Sequence, residues 1–396
     1  MKRILLASLL ALSLGATAHA ADKEWTFLLY LNGNNNLDSY GKLNINQMEA
    51  VGSSDDVNMV VQWASLANGD TRRLFIKKDN DATNVTSPVV QNLGNADMGD
   101  ARTLEDFIKW GITTYPAKHY FVAVWDHGSG WRAIHDARLT GKPIQITDIS
   151  WDDNTGHSIT TKQLGGVMSD VAKWLGRKID IYGSDACLMG MAEVAGEMKD
   201  SVAYFVGSQD LEPGEGWPYT QFLTPLVAKP SMSARELSST LTREYAKSYD
   251  GGSNGSQNVT MASYDLDRYN AVKDAISKLT AEVNRMPAAA RTKVYAAANA
   301  AQAFEYSDYV DLGDFLKKIT AQQIREIDSK VIDAANVALS QFVVLSKNTG
   351  TFAAATGASI WIPKDKNTLD NYLATYKTLV WDADTRWSNA LSQLIK

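Results

Sequence analysis

Apolar runs alternate with amphipathic segments through about the first 220 residues of the chain. Runs that are apolar almost throughout cover residues 25–31, 57–64, 119–125, 178–182 and 203–208, and a further candidate strand lies at 72–77. Segments with helical spacing separate them at 43–51, 102–114, 161–175 and 189–198. Apolar strands separated by helices are typical of a parallel sheet that is covered on both faces. We therefore predict an α/β fold with a mainly parallel central sheet, whose active cleft lies beyond the carboxyl ends of the strands.

The pattern becomes mostly helical past residue 220. Helical spacing covers residues 234–249, 267–285, 288–303 and 321–339, and strand-like pieces at 259–264 and 358–362 interrupt it. We place a soft boundary near residues 225–230. It divides the chain into a sheet domain at 21–225 and a smaller, α-rich C-terminal unit with extra strands at 226–396.

The first 20 residues have the pattern of a secretory signal peptide. Lys2 and Arg3 precede an apolar run at residues 4–14, and Ala18 and Ala20 supply the small residues of a cleavage site. We predict cleavage after Ala20 and a secreted or periplasmic protein. The apolar run is too short to cross a bilayer, and no later segment reaches the roughly 18 apolar residues of a spanning helix, so no membrane association is expected.

Composition and charge narrow the choice of partners. The 396 residues are 45% hydrophobic and 21% charged, as in ordinary globular proteins. The formal net charge is −6, and the loss of Lys2 and Arg3 with the signal peptide makes it −8. Phosphate binding needs a basic face, so nucleic acid is not expected as a partner.

Cys187 is the only cysteine of the chain, in the segment Gly-Ser-Asp-Ala-Cys-Leu-Met-Gly at residues 183–190. In an oxidising compartment an unpaired thiol is either kept for its chemistry or buried and inert. This one follows a predicted strand, at a turn into a helix. That position favours a nucleophile over a core thiol.

A thiol nucleophile needs a partner imidazole, which takes up its proton. His127 is the only histidine just past the carboxyl end of a predicted strand, on the same side of the sheet as Cys187. The alternative is a hydrogen-bonded turn histidine. Gly128 allows close approach of the backbone to a substrate, and the N–H groups of Gly128 and Cys187 are candidates for holding an oxyanion. A serine hydrolase is not favoured, because the chain has no Gly-x-Ser-x-Gly elbow.

These motifs resemble those of a known family. Residues 125–131, Trp-Asp-His-Gly-Ser-Gly-Trp, followed by Asp-Ala-Cys-Leu-Met-Gly at 185–190 and by Glu193, resemble the clostripain family of cysteine peptidases, in the caspase-like clan. Weaker elements in the same order include residues 35–38, 151–153, 208–217 and 357–363. The resemblance implies a caspase-like αβα sandwich, a Cys187–His127 dyad, and endopeptidase cleavage of protein or peptide substrates after Arg or Lys.

The resemblance also implies self-processing in the long polar loop between the two motifs. We expect residues 132–156 to be exposed, and the candidate self-cleavage residues at 132–147 are Arg132, Arg138 and Lys142. The dyad chemistry requires no cofactor. Calcium is an accessory ion in some members of the family, but the chain has no helix–loop–helix calcium pattern, and we assign no metal site.

A pocket for a basic side chain needs a desolvated carboxylate. Asp185 lies two residues before the nucleophile, Asp210 lies just past the strand expected to flank it, and Glu212 is the third candidate. The alternatives are a structural carboxylate that accepts turn N–H groups for Asp185, and solvated loop acids for Asp210 and Glu212.

Two other interpretations remain open at the level of sequence. The Asn-rich segment at residues 32–36 is taken as a turn, in preference to a cation site built from amide oxygens. The second functional hypothesis is a non-catalytic exported binding protein on the same scaffold, with its aromatic loops holding a glycan or a protein. The intact Cys187 and His127 favour the peptidase.

Overall fold

The computed structural model describes residues 23–135, 145–146 and 148–395. The predicted signal peptide, Arg138 and Lys142 lie outside these residues. Within them, no helix is both long and apolar enough to cross a membrane.

One large sheet organises the described chain. Its strands lie in the order β16-β14-β11-β10-β5-β1-β2-β3-β4, and short pairs complete the set. The strands are β1 (Lys23–Gly33), β2 (Val57–Ser65), β3 (Asp70–Phe75), β4 (Val89–Gly94), β5 (Ala117–Trp125), β6 (Ile134–His135), β7 (Gln145–Ile146), β8 (Ile149–Asp152), β9 (His157–Ile159), β10 (Ile179–Asp185), β11 (Val202–Gly207), β12 (Asp250–Gly252), β13 (Gly255–Ser256), β14 (Thr260–Asp265), β15 (Tyr309–Asp311), β16 (Val343–Asn348) and β17 (Ser359–Trp361).

The centre of the sheet is parallel and its edges are antiparallel. Strands β2, β1, β5, β10 and β11 pair in parallel. The pairs β2–β3 and β3–β4 on one side, and β11–β14 and β14–β16 on the other, are antiparallel. The predicted mainly parallel sheet is therefore confirmed.

Helices cover both faces of the sheet. They are α1 (Asp38–Glu49), α2 (Ala101–Thr114), α3 (Thr161–Leu175), α4 (Ala192–Met198), α5 (Tyr219–Ala228), α6 (Ala234–Ser248), α7 (Tyr269–Arg285), α8 (Ala288–Ala300), α9 (Leu312–Ala321), α10 (Ser329–Phe342), α11 (Lys366–Tyr376), α12 (Val380–Thr385) and α13 (Trp387–Leu394). Helices α1, α5 and α6 pack on one face of the sheet, and the other core is built largely from α2, α3, α4 and the C-terminal helices.

The side-chain alternation of β1 explains the three layers. Leu28 and Tyr30 belong to one core, whereas Phe27, Leu29 and Leu31 belong to the other. All five are fully buried. Because successive side chains of a strand point to opposite faces, a strand that is apolar at every position must have a helical layer on each side.

The sheet continues past the predicted boundary near residue 225. Strands β14 and β16 extend it from β11, and the helices from α7 onward share a core with α2, α3 and α4. The C-terminal segment therefore packs as part of the same sandwich in the described structure.

Candidate active site

The two central strands bring His127 and Cys187 together. Strands β5 and β10 are parallel neighbours in which Trp125 pairs with Asp185, and the Asp126 N–H donates to the Asp185 carbonyl at 3.2 Å. His127 lies two residues past Trp125, and Cys187 lies two residues past Asp185. The candidate base and nucleophile thus leave neighbouring strands at equivalent positions, at the carboxyl end of the sheet.

Both residues line one cavity, with a volume of about 160 Å³. The candidate specificity residues Asp185 and Glu212 line it as well. Its other lining residues are Leu37, Trp125, Asp126, Ala186, Pro213, Gly214 and Gly216. No described residue that lines the cavity is a lysine or an arginine, whereas three of them, Asp126, Asp185 and Glu212, carry a carboxyl group.

Cys187 lies in a tight turn between β10 and α4. The next residue, Leu188, has a left-handed backbone with φ of 64°, and its N–H donates to the Asp210 carbonyl at 3.1 Å. The backbone N–H of Glu212 donates to Cys187 Sγ at 3.3 Å. Burial, together with the negative charge of Glu212, raises the pKa of the Cys187 thiol to about 12. The resting thiol is therefore protonated.

His127 is also buried, with an exposed fraction of 5%. Its Nε2 lies 2.7 Å from Oδ1 of Asn36, in the segment after β1. Burial lowers the pKa of His127 to about 4, because the charged imidazolium loses its hydration. The resting pair is accordingly a neutral thiol and a neutral imidazole.

Gly128 lies against the backbone of Cys187. A Cβ atom at residue 128 would approach the Cys187 carbonyl oxygen to 2.4 Å, so only glycine fits. Gly128 faces Ile149 across an isolated antiparallel bridge. The backbone N–H of Ser129 donates to the Asp148 carbonyl, and the backbone N–H of Ser150 donates to the His127 carbonyl. In this hydrogen-bonding pattern the N–H of Gly128 points away from Ile149.

Asp185 and Glu212 form a buried acidic pair at the cavity. Oδ2 of Asp185 accepts hydrogen bonds from the Tyr219 hydroxyl at 2.6 Å and from the Trp217 N–H at 3.3 Å. Burial raises the pKa of Asp185 to about 7. Burial and the charge of Asp185 raise the pKa of Glu212 well above its usual range. Among the described residues that line the cavity, none carries a cationic side chain that could pair with these two carboxyl groups.

Asp210, the other predicted specificity residue, has different contacts. It does not line the cavity, and its Oδ1 accepts a hydrogen bond from the Glu305 N–H at 2.7 Å. Asp210 is buried, and its backbone carbonyl accepts a hydrogen bond from the Leu188 N–H. Asp210 therefore fastens the turn that carries Cys187 to the C-terminal segment, and it is not the solvated loop acid of the alternative interpretation.

Arg132 is not exposed, contrary to expectation. Its exposed fraction is 7%, and its Nη2 forms an ion pair with Asp308 at 2.8 Å. The guanidinium also lies over the rings of Tyr306, Tyr309 and Tyr372. Of the three candidate self-cleavage residues, the one that the structure describes is thus held in a buried aromatic pocket.

The Asn-rich segment contributes contacts that the sequence analysis missed. Asn32 and Asn35 donate to the buried Asp126 carboxylate, at 3.0 and 2.6 Å, and Asn36 contacts His127. The available signal was the position of the segment, because β1 is the neighbour of β5 and both end at the same edge of the sheet. These side chains fix the loop that carries the histidine.

The described residues contain no group of three or more His, Cys, Asp or Glu side chains that could hold a metal ion. We therefore derive no catalytic step through calcium.

Comparison with known proteins identifies relatives along most of the chain. A family model described as the clostripain family matches residues 29–393. Clostripain from Hathewaya histolytica is 24% identical over an alignment of 342 residues, and the match covers 75% of this chain and 62% of that protein. The chain therefore spans about three fifths of the length of this curated relative.

Solved structures share the architecture. A secreted C11 cysteine protease from Bacteroides thetaiotaomicron, in complex with an irreversible peptide inhibitor, is 18% identical, with a TM-score of 0.71 and coverage of 92% of this chain and 99% of that chain. An inactive zymogen C11 protease from Parabacteroides distasonis is 17% identical, with a TM-score of 0.67 and coverage of 92% and 98%. At these identities the likeness shows the fold alone, and it confirms the caspase-like αβα sandwich.

Proposed function

Because the chain belongs to the clostripain family of cysteine peptidases, we propose that it is a cysteine endopeptidase that cuts proteins or peptides after basic residues. Cys187 is the nucleophile and His127 the general acid and base. One observation carries this proposal: the two side chains leave neighbouring parallel strands at equivalent positions and line one cavity with two carboxyl groups that have no lysine or arginine beside them among the described lining residues.

The reaction runs in two halves. The proton of Cys187 Sγ moves to His127 as the sulfur attacks the scissile carbonyl carbon, and the imidazolium then protonates the departing amine as the C–N bond breaks. Water, deprotonated by His127, cleaves the resulting thioester and releases the acid. Since the resting pair is neutral, the ion pair forms only during attack, when the substrate and the oxyanion donors are in place.

The N–H groups of Gly128 and Cys187 are our proposed oxyanion donors. The close approach of the two backbones supports this assignment, because a side chain at residue 128 would enter the same space. Donors fixed in a buried site stabilise the developing charge without reorganising.

The carboxyl groups of Asp185 and Glu212 form the proposed pocket for the basic side chain. A guanidinium or ammonium group entering the cavity would supply the missing cation, and both carboxyl groups would ionise. Asp185 has a second role as the acceptor for Trp217 and Tyr219, so it also shapes the wall of the pocket. Asp210 does not line the cavity and is not part of the proposed pocket.

Self-processing and export complete the proposal. Among the candidate bonds, Arg132–Ala133 follows a buried side chain, and Lys142–Pro143 has a proline after the cut, whose nitrogen carries no hydrogen. The bond Arg138–Leu139 is the one that we propose is cut. We further propose export with removal of residues 1–20, and that the dyad works without a cofactor, so that calcium, if it acts, does so away from the chemical step.

The test of the peptidase assignment is hydrolysis of a fluorogenic arginyl peptide by the purified chain, with and without EDTA. Wild-type protein should hydrolyse the peptide both with and without EDTA. The variants Cys187→Ser and His127→Ala should lose at least about 1,000-fold in kcat/KM. A folded wild-type protein that neither cleaves any peptide nor reacts with iodoacetamide would instead favour the non-catalytic binding protein.

The test of the pocket compares arginyl and citrullinyl peptides, which differ in charge and little in shape. Glu212→Gln should lower kcat/KM for the arginyl peptide by about 10²-fold and change the citrullinyl value far less, because it removes one unpaired buried carboxylate. Asp210→Asn is the matched control, since that carboxylate lies outside the cavity. An equal loss for both peptides in Glu212→Gln would overturn the pocket assignment.

A further inference from the structure

Asn36 is the polar side chain in contact with Nε2 of His127. It follows β1 in the turn that leads into α1, and its Oδ1 lies 2.7 Å from the ring nitrogen. The contact joins residues 91 positions apart, across the neighbouring ends of β1 and β5. The proposed steps of peptide cleavage do not involve this contact.

The position of Asn36 is fixed by its neighbours in the turn. Asn35 is buried, and its Nδ2 donates to the Asp126 carboxylate at 2.6 Å, while its Oδ1 accepts the Leu37 N–H at 2.9 Å. Asp126 is the residue before His127. The asparagine turn and the histidine loop are thus joined by two adjacent contacts, Asn35 to Asp126 and Asn36 to His127.

The chemistry of an amide oxygen then determines where the imidazole carries its proton. An amide oxygen only accepts hydrogen bonds, and a neutral imidazole carries one N–H. With Nε2–H donated to Asn36, the lone pair of the ring is on Nδ1, which leaves Nδ1 as the ring nitrogen that can accept a proton. A buried histidine without this acceptor would distribute its proton over both nitrogens.

We propose that Asn36 is a positioning residue that holds His127 in the Nε2–H tautomer, so that Nδ1 accepts the thiol proton and later delivers it to the leaving amine. This inference rests on the proposed peptidase function. The charge of the imidazolium formed during attack is also stabilised by the Asn36 oxygen, which still accepts from Nε2–H.

The titratable surroundings of His127 are acidic. They are Cys187, Asp185 and Glu212 across the cavity, Asp126 beside it in the chain, and Asp153 after β8. A negative charge added at residue 36 would therefore act directly on the imidazole, in the direction that favours its protonation.

The exposure of Asn36 makes it a suitable site for substitution. The residue is exposed and belongs to neither core, so its replacement removes no buried packing. In Asn36→Ala, water can reach Nε2, but water both donates and accepts and does not select one tautomer. In Asn36→Asp, the acceptor is kept and a charge is added.

The experiment measures two rates from pH 3 to 8, in wild type, Asn36→Ala, Asn36→Asp and the control Asn46→Ala. The rates are kcat/KM for an arginyl peptide and alkylation of Cys187 by iodoacetamide, which does not use the acidic pocket. Asn46 lies in α1 and donates to the exposed Ala82 carbonyl, away from the cavity. We expect about tenfold lower rates in Asn36→Ala. In Asn36→Asp we expect near wild-type rates at pH 7 to 8, with the acid-side midpoint of the alkylation rate raised by about one pH unit.

The outcomes separate the two claims. Asn36→Ala with wild-type rates and an unchanged pH profile would overturn the role of Asn36 while the peptidase assignment stands. Equal losses in Asn36→Ala and Asn36→Asp with unshifted midpoints would also overturn it, since the residue would then only shape the turn. A folded wild-type protein with neither cleavage nor alkylation would overturn the proposed function, and this inference with it.

Discussion

At the scale of single residues, burial dominates the chemistry of the site. The same desolvation raises the pKa of Cys187 to about 12 and lowers that of His127 to about 4. Both shifts remove charge from the free protein. Burial acts on the acidic pair in the same direction, because it raises the pKa of both carboxyl groups and so disfavours their charged forms.

The pocket therefore predicts a pH dependence that is specific to basic substrates. With the pKa of Asp185 near 7, the cation site is increasingly protonated below that pH, and binding must first displace the proton. We expect kcat/KM for an arginyl peptide to rise with pH through about 7. The citrullinyl peptide should lack this rise, and equal profiles for the two peptides would contradict the assignment.

Residue chemistry was predictable from sequence where it depended on strand ends. The adjacency of His127 and Cys187 followed from the apolar runs that precede them, since parallel strands end at one edge. The buried state of Arg132 did not follow, because it depends on Asp308, 176 residues away, and on three tyrosine rings. The contact between Asn36 and His127 did not follow either, because it joins residues 91 positions apart and the Asn-rich turn also suits ordinary loop geometry.

At the scale of elements, the turn after β10 and the loop after β5 are packed backbone to backbone. Gly128→Ala would place a methyl group against the Cys187 carbonyl, which no side-chain movement relieves. We expect a loss of about 1–3 kcal/mol in the free energy of unfolding and of at least about 100-fold in kcat/KM. Thermal unfolding and steady-state kinetics measure both.

Gly166→Ala is the matched control for this substitution. Gly166 is exposed within α3, and no atom lies within 4 Å of a Cβ built there. Alanine is the better helix former, so this variant should gain about 0.5–1 kcal/mol and keep its activity. A Gly128→Ala protein with wild-type kinetics would argue against close contact between the two segments.

Glu193 ties α4 to the C-terminal elements. Its Oε1 accepts hydrogen bonds from the Trp361 N–H and from the Tyr376 hydroxyl, each at 2.9 Å. Burial raises the pKa of Glu193 to about 7. Its folded-state pKa lies above the unfolded value near 4.5, so the folded state binds the proton more tightly, and stability falls as pH rises from about 4.5 through 7.

Glu193→Gln removes that pH dependence. The amide changes the free energy of unfolding by an amount that does not depend on pH. As the pH rises from 5 to 8, the wild type should therefore lose up to about 3 kcal/mol of unfolding free energy relative to the variant. Denaturant unfolding at the two pH values measures the difference. If wild type and variant differ in the free energy of unfolding by the same amount at pH 5 and at pH 8, Glu193 is ionised at both pH values.

The pattern of apolar and polar positions predicted some helices and strands but not others. The parallel strands were predictable because both of their faces are buried. Strand β4 was not, because its exposed edge position leaves Val89 and Val90 in solvent, without a diagnostic pattern. The last three helices were also missed; α12 has only six residues and α13 eight, which is short for a periodicity argument.

At the scale of the whole molecule, the sandwich is continuous from β1 to α13. The Asp308 that holds Arg132, and the Glu305 N–H bound by Asp210, both come from the segment before β15. The C-terminal part of the chain therefore supports the site as well as the sheet. The sequence boundary near residue 225 marked a change in helix content, which does not require a break in packing.

The ion pair with Asp308 disfavours Arg132 as the site of the proposed self-processing, because it holds that side chain in a buried position. The purified chain should cut itself after Arg138, giving a fragment that begins at Leu139, and Arg138→Gln should block the cut while Lys142→Gln does not. The Cys187→Ser protein should stay intact. N-terminal sequencing of the fragments decides the matter, and a fragment beginning at Ala133 would contradict the buried state of Arg132.

The central claim is that Cys187 and His127 act together on substrates with a basic residue. The most direct measurement is mass spectrometry of the chain after incubation with an arginyl peptide chloromethyl ketone, in wild type and His127→Ala. We predict one adduct, on Cys187. It should form at least about 100-fold more slowly in His127→Ala, and it should also form slowly when the reagent carries citrulline in place of arginine. Folded wild-type protein that remains unmodified, or is modified at equal rates with and without His127, would contradict the account.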